Sequence, residues 1–206
     1  MTAPALSTAA PVLTFSEADH VYRLDGAIVP SVTQVLSLAG LVDLSQIDPA
    51  RLAAASRRGT AVHLATEYDD TGDLDEASVT DEVRPYLMAW RRFRADSGIV
   101  LELIEERVAH VGHRFAGTID RVGRIKGRRE IVDLKSGTTQ PTHGLQLAAY
   151  DLALPEDDEP RGRLTVQLRR DGTYRVHRYD NPHDRATFLA CVRVAHWKLA
   201  HLRTAA

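Results

Sequence analysis

This sequence of 206 residues has a single cysteine, no long apolar run and no large excess of charge of one sign. Its single cysteine, Cys191, excludes an internal disulfide and any four-cysteine zinc or iron–sulfur site built from this chain alone. No apolar run approaches the roughly 18 residues that indicate a membrane span. The formal net charge of −2 is not the strongly basic balance typical of nucleic-acid-binding domains, so contacts with phosphates depend on local clusters of arginine.

The chain is long enough for one sizeable hydrophobic core, and its 44% hydrophobic and 26% charged residues are ordinary for a globular domain. Residues 1–11 are rich in Ala, Thr and Pro without a basic segment, which predicts a disordered tail rather than a signal peptide. We therefore expect a cytoplasmic protein with one domain over residues 12–206. The G-x-x-x-x-G-K-[ST] motif of a helicase P-loop is absent.

Two short strand-like segments, at 117–122 and 130–137, flank a basic turn and predict a hairpin. Side-chain direction repeats every two residues in a strand, so Asp133 and Lys135 are expected on one face, with Asp120 approaching from the neighbouring strand. Converging carboxylates suit a hard divalent cation such as Mg2+. A lysine beside them can orient or help deprotonate a water and offset charge on a phosphate oxygen. For this short motif alone, the alternative is a surface hairpin with an ordinary ion pair.

A second group of polar residues lies on a helix that is expected to begin at Pro49 and to continue to about residue 70. His63 and Glu67 are four residues apart and therefore share a face of this helix. They are either metal ligands or an ordinary pair of surface or core residues. Gly59 is expected to allow another segment to approach closely, since glycine inside a helix otherwise costs about 1 kcal/mol relative to alanine.

Two other segments carry groups that can bind a phosphate or a water. Ser31 is predicted to cap a short helix, whose N-terminus and hydroxyl groups, including Thr33, can also hold a phosphate. Gln146 and Tyr150 lie one turn apart on a predicted helix at 144–154 and can hydrogen-bond a carboxylate, a water or a DNA phosphate. Simple capping and a packed core tyrosine are the alternatives.

The remaining elements complete an α/β pattern. Apolar spacing and turn residues predict a hairpin about Asp25-Gly26, a structural helix over 79–97 that Pro85 kinks or starts late, a strand over 99–111, a hairpin about Asp171-Gly172 and a closing helix over 184–203. The fold prediction is a single α/β domain with a central mixed sheet. That sheet holds the strands of Asp120 and Asp133 and is flanked by helices carrying His63 and Gln146.

The order of these motifs resembles the PD-(D/E)XK nuclease superfamily. Asp120, Asp133 and Lys135 occupy the positions of its acidic residue and its D-x-K motif. Gly-Thr-x-x-His ending at His63, and the pair Gln146 and Tyr150, are similar to the helical motifs of its RecB-type members. The resemblance covers residues 58–154, with weaker similarity at 30–33, and implies a restriction-endonuclease-like core.

The resemblance also implies residue roles in hydrolysis of DNA with Mg2+ or Mn2+. The metal would be held by His63, Asp120, Asp133 and the backbone carbonyl of Leu134. The catalytic set would be Asp120, Asp133, Lys135, Gln146 and Tyr150. Glu67 and Glu105 are additional candidates, with the choice between Glu105 and Glu106 left open. Phosphate contacts would come from Ser31, Thr33, Arg58 and Arg121.

Without cluster cysteines or a P-loop, the sequence is most similar to stand-alone phage recombination exonucleases of the lambda type. A role in recombination, repair or phage DNA processing is then implied, with DNA as the partner and no membrane. One alternative is an inactive relative that binds nucleic acid or a partner protein, against which the presence of Asp120, Asp133 and Lys135 together counts. The other is a nuclease module that serves a separate helicase or recombinase. Homo-oligomerisation stays open.

Overall fold

The computed structural model describes residues 10–43, 45–157 and 159–202. Most of the predicted N-terminal tail, residues 1–9, lies outside the described residues, and so does the predicted end of the last helix at 203. The described part consists of a three-stranded ribbon, a five-stranded sheet and five α-helices. This arrangement confirms the predicted α/β class with one mixed central sheet.

The N-terminal ribbon contains the predicted hairpin. Its strands are β1 (Leu13–Ser16), β2 (Val21–Leu24) and β3 (Ala27–Val29), paired antiparallel in that order. Asp25 and Gly26 both have positive φ, 52° and 78°, as a two-residue turn of the favoured type requires. β1 adds a strand that the sequence did not separate from this hairpin.

Helix starts follow the capping residues. Helix α1 (Val32–Leu38) begins after Ser31, which forms a capping box with Gln34. Helix α2 (Pro49–Thr71) is capped by the carboxylate of Asp48 and ends at Gly72, whose φ is 83°. Helix α3 (Arg84–Ser97) starts later than residue 79, because Pro85 occupies its first turn.

The central sheet has the order β4-β5-β6-β7-β8. Its strands are β4 (Val100–His110), β5 (Phe115–Ile125), β6 (Arg128–Lys135), β7 (Gly162–Leu168) and β8 (Tyr174–Arg178). β6 and β7 are parallel because helix α4 (Thr142–Ala153) forms the crossover between them, while the other neighbours are antiparallel. Helix α5 (Asp184–His201) closes the described chain. The hairpin about Asp171-Gly172 and its addition to the same sheet are confirmed.

Helices cover both faces of this sheet. Ile131 and Val132 are consecutive in β6 and fully buried, yet they belong to different core clusters. Ile131 packs with residues of α1, α4 and α5, whereas Val132 and Leu134 pack with residues of α2 and α3. The alternation of side chains in a strand therefore directs Asp133, which lies between Val132 and Leu134, to the α4 side.

The expected role of Gly59 is wrong. A Cβ atom at this position of α2 would lie 3.9 Å from the Ser136 hydroxyl oxygen, an ordinary contact distance. Gly117 in β5 instead permits a close approach, because a Cβ atom there would lie 2.8 Å from Cε1 of Tyr150 and 3.2 Å from Cγ2 of Val32. The glycine that brings a helix against the site is therefore on the sheet.

Candidate active site

Asp133 and Lys135 form an ion pair at the end of β6. The Lys135 ammonium donates to Oδ1 of Asp133 at 2.7 Å, and the hydroxyl of Thr165 on the parallel strand β7 donates to Oδ2 at 3.3 Å. Burial raises the pKa of Asp133, and nearby Asp120 adds to this effect. Burial alone would lower the pKa of Lys135, but Asp133 and Asp120 raise it above its ordinary value. Lys135 is thus a cation at neutral pH.

Asp120 lies where the β5–β6 ladder opens. The last paired residues of these strands are Arg121 and Val132. Beyond this pair, the backbones of the two strands are no longer paired. The Leu134 N–H donates instead to Oδ2 of the Asp120 side chain, at 2.6 Å. Its Oδ1 lies 3.6 Å from Nδ1 of His63. Asp120 is therefore held between β6 and helix α2.

His63 places an imidazole between two carboxylates and a carbonyl. Its Nδ1 is 3.4 Å from Oε1 of Glu105, and its Nε2 is 3.2 Å from the Leu134 carbonyl oxygen. Burial alone would lower the pKa of His63, but Asp120 and Glu105 raise it to about 9. Burial raises the pKa of Glu105, yet His63 and Arg121 overcome this and lower it below its ordinary value. A protonated imidazole facing an ionised Glu105 carboxylate is the expected metal-free state.

Three donor atoms, one each from His63, Glu105 and Asp120, lie within 4.8 Å of one another. A nitrogen donor with carboxylate oxygens fits a divalent cation, and carboxylate-rich sites with remaining waters are those that Mg2+ and Mn2+ favour. Asp133 contributes no atom to this group among the described residues; it is paired with Lys135 instead. Its predicted role as a ligand stays a prediction.

Of the adjacent residues Glu105 and Glu106, Glu105 is the one whose side chain faces the site. Its side chain contacts His63, whereas Glu106 is exposed. Glu105 has a φ of 47°, an unfavourable region for a residue with a side chain, inside the otherwise extended β4. Glu67 follows His63 by one turn and lines the same cleft, and burial together with Glu105 raises its pKa. Glu67 remains a candidate beside the donor group rather than a member of it.

Gln146 and Tyr150 are both buried on α4 and contact each other. The Gln146 amide donates to the Tyr150 hydroxyl at 3.0 Å. Burial is the main cause that raises the pKa of Tyr150 well above its ordinary value, and Asp120 and Asp133 add to it. The phenol therefore stays protonated near the two aspartates and has a proton to donate, as the sequence led us to expect of this pair.

The residues predicted to contact phosphate have different surroundings. The Ser31 hydroxyl accepts from the Gln34 N–H at 3.1 Å and lies 3.1 Å from the Thr33 hydroxyl, so it acts at least as a cap. Arg58 is half-buried, and its Nε has no partner among the described residues. The prediction for Arg121 is wrong. Its side chain is 0% exposed and paired with acidic side chains, so it cannot reach a phosphate outside the protein.

A cleft of about 570 Å³ opens onto the donor group, a size within the usual range of ligand sites. It is lined by residues of the ribbon, α1, α2, β4, β5 and α4, among them Phe15, Tyr22, Ser31, Thr33, His63 and Glu105. The Tyr22 hydroxyl lies 2.8 Å from that of Thr118 on β5. Sequence reasoning missed the ribbon as part of the site, since no local signal indicates where a hairpin docks.

Acidic and imidazole donors beside a partly buried lysine, at one end of a mixed sheet, are the kind of site found in metal-dependent hydrolases. The chain belongs to the PD-(D/E)XK nuclease superfamily, whose family profile matches residues 35–197. This match extends well beyond the motifs, from α1 into α5.

Among solved structures, the chain is similar to an alkaline exonuclease, LHK-Exo, from Laribacter hongkongensis. The identity is 14% and the TM-score 0.39, over 86% of this chain and 95% of that one. It is also similar to SSO0001, with 16% identity and a TM-score of 0.36 over 84% of this chain and 86% of that one. No curated protein matches the sequence. No helix in the described part of the chain is long and apolar enough to cross a membrane.

Metal binding at neutral pH is expected to displace a proton from His63. The imidazole is protonated below a pKa of about 9 in the metal-free protein, whereas a metal binds the neutral ring. The apparent affinity for Mn2+ should therefore fall about tenfold for each pH unit below that pKa. Isothermal titration calorimetry between about pH 7 and pH 9, in buffers of different ionisation enthalpy, measures both the affinity and the released proton.

The matched variants are His63→Ala and His201→Ala, because His201 is exposed on α5 away from the donor group. His63→Ala should abolish the proton release and raise the metal concentration needed for half-maximal cleavage. Mn2+ should restore cleavage better than Mg2+, since Mg2+ demands near-ideal octahedral geometry and gives up its waters reluctantly. An unchanged metal requirement with only a lower melting temperature would make His63 a packing residue.

Proposed function

We propose that the protein is a divalent-metal-dependent deoxyribonuclease that hydrolyses phosphodiester bonds and acts from DNA ends. The observation that carries the proposal is the group of His63, Glu105 and Asp120 donor atoms within 4.8 Å, next to the Asp133–Lys135 ion pair. Membership of a nuclease superfamily supports hydrolysis of nucleic acid. Action from ends rests on the resemblance of the motif series to phage recombination exonucleases.

The donor group would hold one or two Mg2+ or Mn2+ ions, with the Leu134 carbonyl and Asp133 as the further oxygen ligands beside it. Such an ion acts as a Lewis acid that polarises a phosphate oxygen and lowers the pKa of water. The protein supplies carboxylates at fixed positions, because Asp120 is bonded to the β6 backbone and Glu105 to Arg121. Fixed ligands favour binding without reorganisation during the reaction.

Lys135 is suited to orient the scissile phosphate and to offset the charge that develops on it. Its pKa is raised by Asp133 and Asp120 despite burial, so it is an ammonium donor at neutral pH. The side chain is 24% exposed, which leaves its charge accessible from the solvent side. Positive charge in a partly buried site acts more strongly on a phosphate than it does in water.

Gln146 and Tyr150 on α4 would help to fix the positions of the acidic side chains of the site. Tyr150 is buried, protonated and within the field of Asp120 and Asp133. Gln146 donates to the Tyr150 oxygen, which leaves the phenolic hydrogen for a carboxylate, a water or a phosphate oxygen. Ser31, Thr33 and Arg58 remain the proposed contacts to the DNA backbone, where sequence-independent binding requires donors and positive charge.

The assignment is tested with end-labelled linear DNA and closed circular DNA, each incubated with Mg2+, Mn2+ or a chelator. Linear DNA should be degraded with either ion, the circle should persist, and the chelator should stop the reaction. Asp120→Ala protein purified in parallel controls for contaminating nuclease. Cleavage of the circle would show internal cutting, and no cleavage of either DNA would favour the inactive binding module. A role in recombination, repair or phage DNA processing, cytoplasmic location, a helicase or recombinase partner and homo-oligomerisation stay predictions.

A further inference from the structure

Arg121 is a fully buried charge at the back of the donor group. Its side chain and that of Asp70 on α2 are both 0% exposed, and the Arg121 Nε donates to Asp70 Oδ2 at 2.6 Å. Burying two charges costs desolvation energy that their attraction does not always recover, so such a pair is weak grounds for a role in stability. Its other contacts indicate what it does.

The guanidinium touches both carboxylate residues of the donor group. One terminal nitrogen donates to Oε1 of Glu105 at 2.8 Å and to the backbone carbonyl of Asp120 at 2.6 Å. The other donates to the Thr66 hydroxyl at 3.2 Å. A guanidinium is planar, with its donors in a rigid fork, so these bonds set the direction of the Glu105 carboxylate as well as its charge.

Asp70 is itself anchored from the side away from the donor group. It accepts from the indole N–H of Trp90 at 2.9 Å and forms an ion pair with Arg94, whose terminal nitrogen lies 2.7 Å from its Oδ1. The Trp90 ring, with 0% exposure, has its centroid 5.8 Å from the Arg121 guanidinium carbon. Helices α2 and α3 thus hold the Arg121 fork in one place through Asp70 and Trp90.

The conformation of Glu105 depends on contacts of this kind. Its φ of 47° places it in the left-handed region inside a strand, and a strained conformation of this kind persists only where the surroundings maintain it. The bond from Arg121 is one restraint on its side chain, and His63 at 3.4 Å is the other. Without Arg121, the Glu105 carboxylate would keep its contact with the His63 imidazole but would no longer be held in one orientation.

We infer that Arg121 is a positioning residue, which orients Glu105 and the Asp120 backbone so that the donor group has the geometry for a divalent ion. This role rests on the proposed function, because it presupposes that His63, Glu105 and Asp120 bind metal. Arg121 acts from inside the protein and does not contact DNA. Supporting partners of metal ligands typically change affinity by 10- to 100-fold when they are replaced.

The test is direct Mn2+ binding by calorimetry, without DNA, to Arg121→Lys, Glu105→Gln and the double variant. The lysine of Arg121→Lys keeps a positive charge opposite Asp70 but lacks the rigid planar set of guanidinium donors. The affinity for Mn2+ should therefore fall about tenfold. The loss of affinity in the double variant should be smaller than the sum of the two single losses, because Arg121 acts in part through the Glu105 carboxylate. Arg91→Lys is the matched control, since Arg91 pairs with Asp69 of α2 and with Glu76 but has no contact with Asp70 or Glu105 among the described contacts.

Thermal unfolding shows which variants fold. Should Arg121→Lys fail to fold, Asp70→Asn keeps the arginine while loosening its anchor, and a weaker affinity for Mn2+ is again expected. Wild-type affinity in the folded Arg121 and Asp70 variants, while Asp120→Ala loses binding, would overturn the inference and leave the proposed function standing. An equal loss in Arg91→Lys would also overturn it. If Asp120→Ala binds Mn2+ normally as well, the proposed metal site itself fails.

Discussion

Replacing Asp120 with alanine is expected to lower the rate of DNA cleavage about a thousandfold, the scale on which a single group that stabilises charge in a transition state acts. The variant loses the oxygen that lies 3.6 Å from His63 and the carboxylate that accepts from the Leu134 N–H. DNA binding should survive, because phosphate contacts come from other parts of the surface. Cleavage is measured under single-turnover conditions and binding by fluorescence anisotropy with a chelator present.

Asp133→Ala is expected to act in the same direction, since its carboxylate is the partner of Lys135 and lies beside the donor group. Glu106→Gln is the matched control, because Glu106 is an exposed acidic residue of β4 in the same sheet. Near-wild-type cleavage by both aspartate variants would refute a nuclease site at this place. In Mn2+-soaked crystals, density between Asp120 and Asp133 would support the ligand set predicted from the sequence, whereas density among His63, Glu105 and Asp120 would favour the donor group.

Lys135→Ala is expected to retain the metal and to lose most of its turnover. The ammonium that faces Asp133 at 2.7 Å would be gone, while the donor group stays in place. Loss of one preorganised charge lowers kcat by about 100- to 1,000-fold. Single-turnover cleavage reports the chemical step, and Mn2+ calorimetry reports the retained metal.

Lys135→Arg should not restore the full rate, because guanidinium is planar, bulkier and effectively always protonated. Lys126→Arg provides the control for this substitution, as Lys126 is exposed in the turn between β5 and β6. Full activity in Lys135→Arg would mean that only positive charge is needed at this position. Loss of Mn2+ binding in Lys135→Ala would instead mean that the lysine holds Asp133 for the metal.

Local patterns in the sequence were sufficient for the parts of the site that depend on regular strands and helices. Asp133 and Lys135 share a face because β6 is regular to its end, and a two-residue period therefore applies. Gln146 and Tyr150 contact each other because a four-residue spacing brings side chains together on any helix.

Irregular backbone is where the local patterns failed. β4 shifts register between Leu101 and Leu103, and Glu105 has a positive φ, so counting every second residue along this strand does not tell which glutamate faces the site. Only the packing of β4 against β5 and α2 decides that Glu105 contacts His63. The ligand role predicted for Asp133 stays a prediction, since Asp133 pairs with Lys135 and the donor group contains Glu105.

The sequence by itself determined the α/β class, the capped helices, the hairpins and the shared strand face of Asp133 and Lys135, because each of these depends on neighbours within a few residues. Only the tertiary structure decided that Arg121 is internal, that Gly117 rather than Gly59 allows a close approach, and that the ribbon borders the cleft. Charged residues look alike in sequence whether they face solvent or a buried partner. Arg121 is internal because α2 brings Asp70, 51 residues away, to the back of β5, and a buried charge requires such a partner.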